Sequence, residues 1–441
     1  MNTMILKLDR RVGINLMYIV LAVLIFMRYG LEINIPSVLL ACLCYLIISV
    51  GNNDEILALC LCCIPLYTAF SYSYVVLYAS IVLIVKNIKR IKLNFTVIII
   101  LAIFIWEALH AYSGTFSIKH LILTMVPFIF LLVVQSISRT KLNYQYITEK
   151  FVYFVLLVGI NLFVRTVMLY QGSVMAAIRQ MGRLGVIDEN ASTIGGQINP
   201  NTYGIICVIA IAVLLQNMLY GKKKRKDYLC LFGLIILGIL TLSRTYVVLL
   251  CITFSLFVIG QRGGINKKIK IVGSIVGIIL IGALVLLVFF PTTLETYGGR
   301  WGEEDLSNGR LTIMKDSAEV IWTQPLIYLF GLGLENYHEE VLQYVSTAPH
   351  DAINEIIMVW GVPGLIIFVW LMIYIVKSAN NINHKMNLIN YIPLIILVVK
   401  AVSGHWITSG YTKLLMTVIY LSLVTELDSK KTNNGIYHVN D

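Results

Sequence analysis

Charge is scarce in this chain. Asp, Glu, Lys and Arg make up 13% of its 441 residues, against 58% hydrophobic residues and a mean hydropathy of +0.83. A soluble domain carries about a quarter charged residues, so a water-soluble globular protein is excluded. Cysteine is missing from every polar connector: Cys42, Cys44, Cys60, Cys62, Cys63, Cys207, Cys230 and Cys251 all lie in apolar runs, which leaves no loop disulfide and no loop zinc site. Cys60, Cys62 and Cys63 are close in sequence, but on a helix they point to different faces, and helix packing is the better reading. The alternating segments of about ten residues that mark a membrane barrel are also lacking. The first apolar run, Val12 to Met27, is followed by Arg28, Tyr29, Gly30 and Leu31 rather than by a small-residue cleavage site, so it reads as an uncleaved span. Neither an internal repeat of the transporter kind nor a low-complexity segment is present.

What fills the chain is a series of continuous Ile, Leu and Val runs. They predict membrane spans near 12–28, 36–50, 56–70, 73–85, 95–111, 120–137, 151–170, 202–220, 228–241, 245–260, 271–290, 352–376, 388–403 and 413–425, each close to the length of about 20 residues that crosses a bilayer. The fold class is therefore all-α. The chain reads as a polytopic integral membrane protein with about 12–14 transmembrane helices, forming a single transmembrane domain over 1–441 with one large extracytoplasmic loop.

The net charge of +11 comes mainly from short connectors. With the N-terminus inside, the inner connectors hold 23 of the 34 Lys and Arg residues, and the opposite connectors with their edges hold nine. That asymmetry predicts that both termini are cytoplasmic. Separated short basic clusters do not suit nucleic acid, and no nucleic-acid partner is expected. Two outer loops are long, 171–201 and 291–351. Within the second, Leu311, Met314, Ala318 and Ile321, and then Tyr337, Val341 and Tyr344, repeat at helical spacing, predicting short amphipathic helices over 310–322 and 337–345.

The unusual polar residues gather on this outer side. They are Arg179, Arg183, Asn199 and Asn201; Ser243, Arg244 and Thr245; Arg300, Arg310 and His350; and Lys400 with His405. Arginine forks suit phosphate oxygens, and they stabilise charge that builds on a departing diphosphate. Histidine suits proton transfer at neutral pH. The pattern fits chemistry on a lipid-linked anion. Plainer roles stand beside it. Arg244 can snorkel or cap a helix end. Arg300 sits among Glu303, Glu304 and Asp305, where a solvated ion pair explains it. His350, between Pro349 and Asp351, sits at a helix start. Arg179 and Arg183 share a wet helix face. Glu107, Arg165 and Lys400 lie in or near spans, where charge is costly and a cavity-facing role is the default. Residues 291–351 hold ten acidic residues against three basic ones, so any phosphate site there needs its arginines turned inward. Glu335 and Glu339 are candidates to bind sugar hydroxyls or to act as base.

The order Arg183, Gly195-Gly196, Asn199-Pro200-Asn201, Leu242-Ser243-Arg244-Thr245, Asn308-Gly309-Arg310, Phe330-Gly331-Leu332-Gly333, His350 and Gly361-Val362-Pro363-Gly364 resembles the O-antigen polymerase and O-antigen ligase family of membrane glycosyltransferases, over roughly residues 180–375. The resemblance implies metal-independent glycosyl transfer, with no cofactor, outside the plasma membrane. The implied donor is a glycan on undecaprenyl diphosphate, and the implied location is a bacterial plasma (inner) membrane. It implies that Arg244 and Arg310 hold the diphosphate, that His350 is the base or orients the acceptor, and that Arg183 and Asn201 touch substrate. Arg300 and Lys400 join them as substrate-binding candidates. Implied partners are membrane lipids, a chain-length regulator and a flippase. The family often has Asn after that histidine and Leu three further on, where this chain has Asp351 and Asn354. Asp351 either touches the His350 ring or caps the helix, and the role of Glu355 is open. A repeat-unit polymerase making O-antigen or capsular polysaccharide is the leading expectation. A ligase moving the glycan to another acceptor, a flippase or transporter, and a sensor or scaffold are the alternatives.

Overall fold

The computed structural model describes residues 2–67, 72–91, 95–111, 118–138, 142–181, 183–184, 198–221, 224–261, 264–302, 309–334, 337–402 and 404–425. These residues form α-helices, with no β-strand among them. In chain order the helices are α1 (Asn2–Ile25), α2 (Ser37–Val50), α3 (Asn53–Cys62), α4 (Tyr72–Lys86), α5 (Phe95–Ala111), α6 (Ile118–Ile137), α7 (Tyr144–Leu169), α8 (Val174–Gln180), α9 (Pro200–Tyr220), α10 (Arg225–Ile239), α11 (Arg244–Gly260), α12 (Ile265–Phe289), α13 (Pro291–Trp301), α14 (Arg310–Thr323), α15 (Pro325–Leu329), α16 (Tyr337–Tyr344), α17 (Ala352–Asn380), α18 (Leu388–Ala401) and α19 (Gly410–Val424). Five helical stretches are long and apolar enough to cross a membrane, and seven further apolar helices are shorter. The all-α polytopic architecture expected from the hydropathy pattern is what the chain adopts. Each expected span lies on a helix, and the short helices expected near 310–322 and 337–345 are α14 and α16.

One span is shorter than its apolar run. Among the described residues of the run 56–70, the α-helix ends at Cys62 and the chain then tightens into a 3-10 turn at Ile64–Leu66. Pro65 explains the break, because its ring fixes φ and it has no N–H to give the helix. Ten residues reach only about 15 Å, half a hydrocarbon core. The segment is buried almost throughout, so protein rather than lipid surrounds it. Its start is fixed by reciprocal bonds: Asn52 accepts from the Glu55 N–H, and Glu55 accepts from the Asn52 N–H. Glu55 also pairs with Arg10 at 2.8 Å. Its three thiols, Cys60, Cys62 and Cys63, are buried and free.

α9 and α19 are buried nearly all round and form the centre of the bundle. Side-chain amides tie them to α18. Gln216 donates to the Ser422 carbonyl, Asn390 to the Ser422 and Thr425 carbonyls, and the Tyr220 hydroxyl to Asn387 and Asn390. The outer helices turn apolar side chains outward, most of all α12, where Leu280, Leu284 and Leu287 are exposed.

The glycines singled out in the sequence meet in space. α17 breaks at Gly361, whose φ is +67°, and Gly331 and Gly333 have φ of +77°. Pro363 cannot donate to Val359, so that carbonyl would be orphaned. The Gly333 N–H takes it at 2.8 Å, and the Leu332 N–H takes the Met358 carbonyl at 2.8 Å. A Cβ on Gly331 or Gly361 would overlap the opposite backbone. Glu107 fastens the crossing, accepting from the Leu334 N–H and the Trp360 indole. This clasp fixes the first half of α17, and with it the residues just before the helix.

Candidate functional site

His350 sits immediately before α17, at the end of the bundle that carries the long loops. Asp351 is the N-cap of the helix, accepting from the Asn354 N–H at 2.8 Å. Of the two roles open to Asp351 in the sequence, capping is the contact described. The His350 ring lies 4.9 Å, centroid to centroid, from that of His405, which follows α18. His405 Nδ1 is 3.5 Å from Glu355. Glu355, in the first turn of α17, is fully buried and gathers the N–H groups of Trp406 (2.5 Å), Ile407 (3.2 Å) and Thr408 (3.1 Å) together with the Thr408 hydroxyl. Successive N–H groups of this kind form a nest for an anion. Here the anion is the protein's own carboxylate, and it holds the α18–α19 turn against His350.

Arg310 opens α14 behind Gly309, whose φ of +74° turns the chain into the helix. One turn on, the Met314 carbonyl accepts from the Asn354 side chain at 3.0 Å, which lashes α14 to α17. Burial, then the charges of His405 and Arg310, hold the His350 imidazole below the ordinary histidine range, while Glu355 opposes them. His350 is a neutral ring at neutral pH.

Lys400 lies in the last turn of α18, 2% exposed. Its ammonium has no hydrogen-bond partner among the described residues. It lies over the Tyr411 ring at 5.5 Å. A buried cation held only by an aromatic face is costly.

A second group occupies the same end of the bundle. Arg183 donates to the Thr241 carbonyl at 2.7 Å and to the Asn201 side chain at 2.6 Å. Asn199 caps α9 and Ser243 caps α11. Leu242, at φ +51°, makes the tight turn that brings Arg244 to the start of α11. α11 runs antiparallel to α18, with Gly260 against Ile389 at their other ends, so Arg244 lies near the level of Lys400.

Other sequence candidates are placed as follows. Arg165 pairs with Glu32. Thr292 and Thr293 donate to the Arg179 and Met181 carbonyls, joining the first long loop to α13. The Arg300 and Glu339 side chains, and residues Gly195, Gly196, Glu303, Glu304, Asp305, Asn308 and Glu335, lie outside the described residues. Lys413, on which the charges of both Glu107 and Glu355 act, went unnoticed in the sequence. So did Trp406. Each sits where an apolar run meets a polar turn, and that was the available signal.

A cavity of about 870 Å³ lies between α17 and α18. Ile356, Phe368, Met372, Leu394 and Val398 make its walls, and Met314, Asp351 and Trp406 line the end nearest His350. Lys377 and Asn380 line the other end. It follows a helix of 29 residues, on the order of 40 Å long, so it runs the depth of a hydrocarbon core.

Residues 228–369 match the O-antigen ligase family model. The match runs from α10 through the kink in α17 and takes in Arg244, Arg310, His350, Asp351 and Glu355. It bears out the family resemblance read from the motifs, and it supports a membrane enzyme of glycan transfer. Arg183, Asn201, Lys400 and His405 fall outside the matched span. No curated protein and no solved structure matches the chain.

Proposed function

We propose that the protein is a repeat-unit polymerase that transfers a glycan from polyprenyl diphosphate to the sugar of a second lipid-linked unit, on the outer face of a bacterial plasma membrane. The observation that carries this reading is that Arg310, His350, His405 and Glu355 lie together beside the end of an apolar groove between α17 and α18, the end that their neighbours Met314, Asp351 and Trp406 line. A groove of this length suits a polyprenyl chain rather than an ordinary acyl chain, which stops at the bilayer midplane. Its apolar walls favour lipid binding over a polar path for sugar transport.

In this reading Arg310 receives the diphosphate oxygens as charge builds on them, with Arg244 and Lys400 as further cations. Arg183 and Asn201, bonded to each other, position the Arg244 turn beside the substrate. The neutral His350 orients the reacting groups or accepts a proton.

The test is a glycan-length gel of a deletion strain carrying the gene or its variants. The reading predicts loss of all polymer with single units retained, in the deletion strain and with Arg310→Ala or His350→Ala at normal protein levels. Finished polymer building up on its carrier would instead mark a ligase, the activity that the matching family model is described by. Normal chain length in both variants would overturn the assignment.

A further inference from the structure

Asp351 has two carboxylate oxygens in very different surroundings. Oδ1 is bound to the Asn354 N–H and caps α17. Oδ2 is buried and has no hydrogen-bond partner among the described residues. The side chain is 6% exposed and lines the loop end of the α17–α18 groove. A buried acceptor left empty is costly, and more so when charged, so a second oxygen held in this way is suited to a ligand donor. Capping alone needs one oxygen, and a neutral Asn or Ser would provide it.

The position narrows what that ligand donor is. Asp351 is next to His350, and the α14–α17 bond between Met314 and Asn354 brings Arg310 into the same corner. The diphosphate, an anion, goes to Arg310. The group that approaches a carboxylate instead must bring a proton, and a sugar hydroxyl does. Trp406 lines the same groove, and its buried indole N–H also lacks a partner among the described residues, so an unmatched acceptor and an unmatched donor belong to residues at the groove's loop end, as a hydroxyl-bearing ligand requires.

We propose that Asp351 is the catalytic base of the transfer, taking the proton from the acceptor sugar's hydroxyl. This rests on the glycan-transfer reading above. In the step, the acceptor O–H bond breaks and its proton goes to Asp351 Oδ2. The acceptor oxygen bonds to the anomeric carbon of the donor sugar. The bond from that carbon to the diphosphate breaks, and its electron pair leaves with the diphosphate, beside Arg310. The proton then passes to water when product leaves.

His350 is the rival for this role. A proton on His350 would add a positive charge beside Arg310 and His405, whereas a proton on Asp351 removes a charge from a buried site. Burial, with help from the Glu355 charge, already holds the Asp351 carboxyl above the ordinary aspartate range, against the opposing pull of the Asn354 and Ile353 N–H groups and the Asn354 side chain. His350 is then a positioning group for the diphosphate or the acceptor.

The test uses the full chain in membrane vesicles loaded with polyprenyl-diphosphate-linked single units from the deletion strain. Elongation is followed by gel, and thermal unfolding with and without the lipid-linked units is the binding readout. Asp351→Asn keeps the cap and removes the base. It should slow elongation by about 10²–10⁴-fold while the wild-type thermal shift on binding persists. If Asn disturbs the fold, Asp351→Ser, which also caps, is measured in its place. A near-normal rate in the folded variant while Arg310→Ala is inactive overturns the base and leaves the glycan-transfer reading standing. Near-normal rates in both overturn the reading and the base together.

Discussion

Two polar corners share one end of this bundle and are built in opposite ways. In the corner made by Arg183, Asn201 and the Thr241–Arg244 turn, the guanidinium of Arg183 is bonded to a neighbouring carbonyl and a neighbouring amide. In the corner made by Arg310, His350 and Asp351, a carboxylate oxygen is buried without a hydrogen-bond partner among the described residues, as is the Lys400 ammonium in the last turn of α18. Absence of a partner is not in itself a site. The amide oxygen of Asn161 and the hydroxyl of Thr417 are also unmatched, and both are neutral. What sets the second corner apart is unmatched charge at the mouth of a groove. The difference suggests that the first corner holds the fold and the second is kept for a ligand.

Substitutions should separate the two corners. The largest effect on turnover outside Asp351 is expected at Arg310. Removing one donor to developing negative charge typically costs about 10²–10³ in rate, so Arg310→Ala should cut elongation by that order at unchanged protein level. Lys400→Met comes next. It removes one charged hydrogen bond to substrate, worth about 1.5–3 kcal/mol, so affinity for lipid-linked units should fall by about tenfold or more. Because the free protein loses an unpaired buried cation, its unfolding temperature should hold or rise. A fall in both would show that Lys400 is structural. Arg183→Ala should do the reverse. It leaves the Thr241 carbonyl and Asn201 unmatched and should lower stability by about 1–3 kcal/mol, with turnover per folded molecule changed far less than in Arg310→Ala.

The smallest effect concerns pH. His350 takes up protons less readily in the folded chain than in the unfolded one, because burial and then the His405 and Arg310 charges disfavour its cation, against the pull of Glu355. As pH falls below the ordinary value of about 6.5, the unfolded state binds the proton first and stability drops. The loss levels off once His350 protonates in the folded state. Above that range its contribution is constant. His350→Gln should flatten this part of the stability–pH profile, and a profile unchanged by the substitution would place the titration elsewhere.

Much of the bundle was legible because apolar runs and caps are local. The α17 start at Asp351 and the opening of α14 at Arg310 follow from neighbouring residues. The motif glycines were visible too, but not their reason. Gly331 and Gly333 meet the kink at Gly361 because Pro363 frees a carbonyl that only a close backbone can reach. Glu355 was an open question, since its partners Trp406, Ile407 and Thr408 are distant in sequence. The groove was invisible for a different reason. Met372 and Leu394 line it, while Ile366 and Trp370 are among the exposed residues of α17. In a membrane protein, lipid-facing, groove-facing and core positions draw on the same residues, so hydropathy cannot tell them apart. Charge can. His350, Arg310 and Lys400 stood out against the apolar background for that reason.

The most direct measurement is photo-crosslinking with a polyprenyl diphosphate that carries a diazirine in its chain and a short glycan on its phosphate, mapped by mass spectrometry on the full chain in membranes. The account predicts label on α17 and α18 at groove positions such as Met372 and Leu394, and loss of that label when Val398→Trp narrows the groove. Label confined to the exposed face of α12, and unchanged by Val398→Trp, would contradict it.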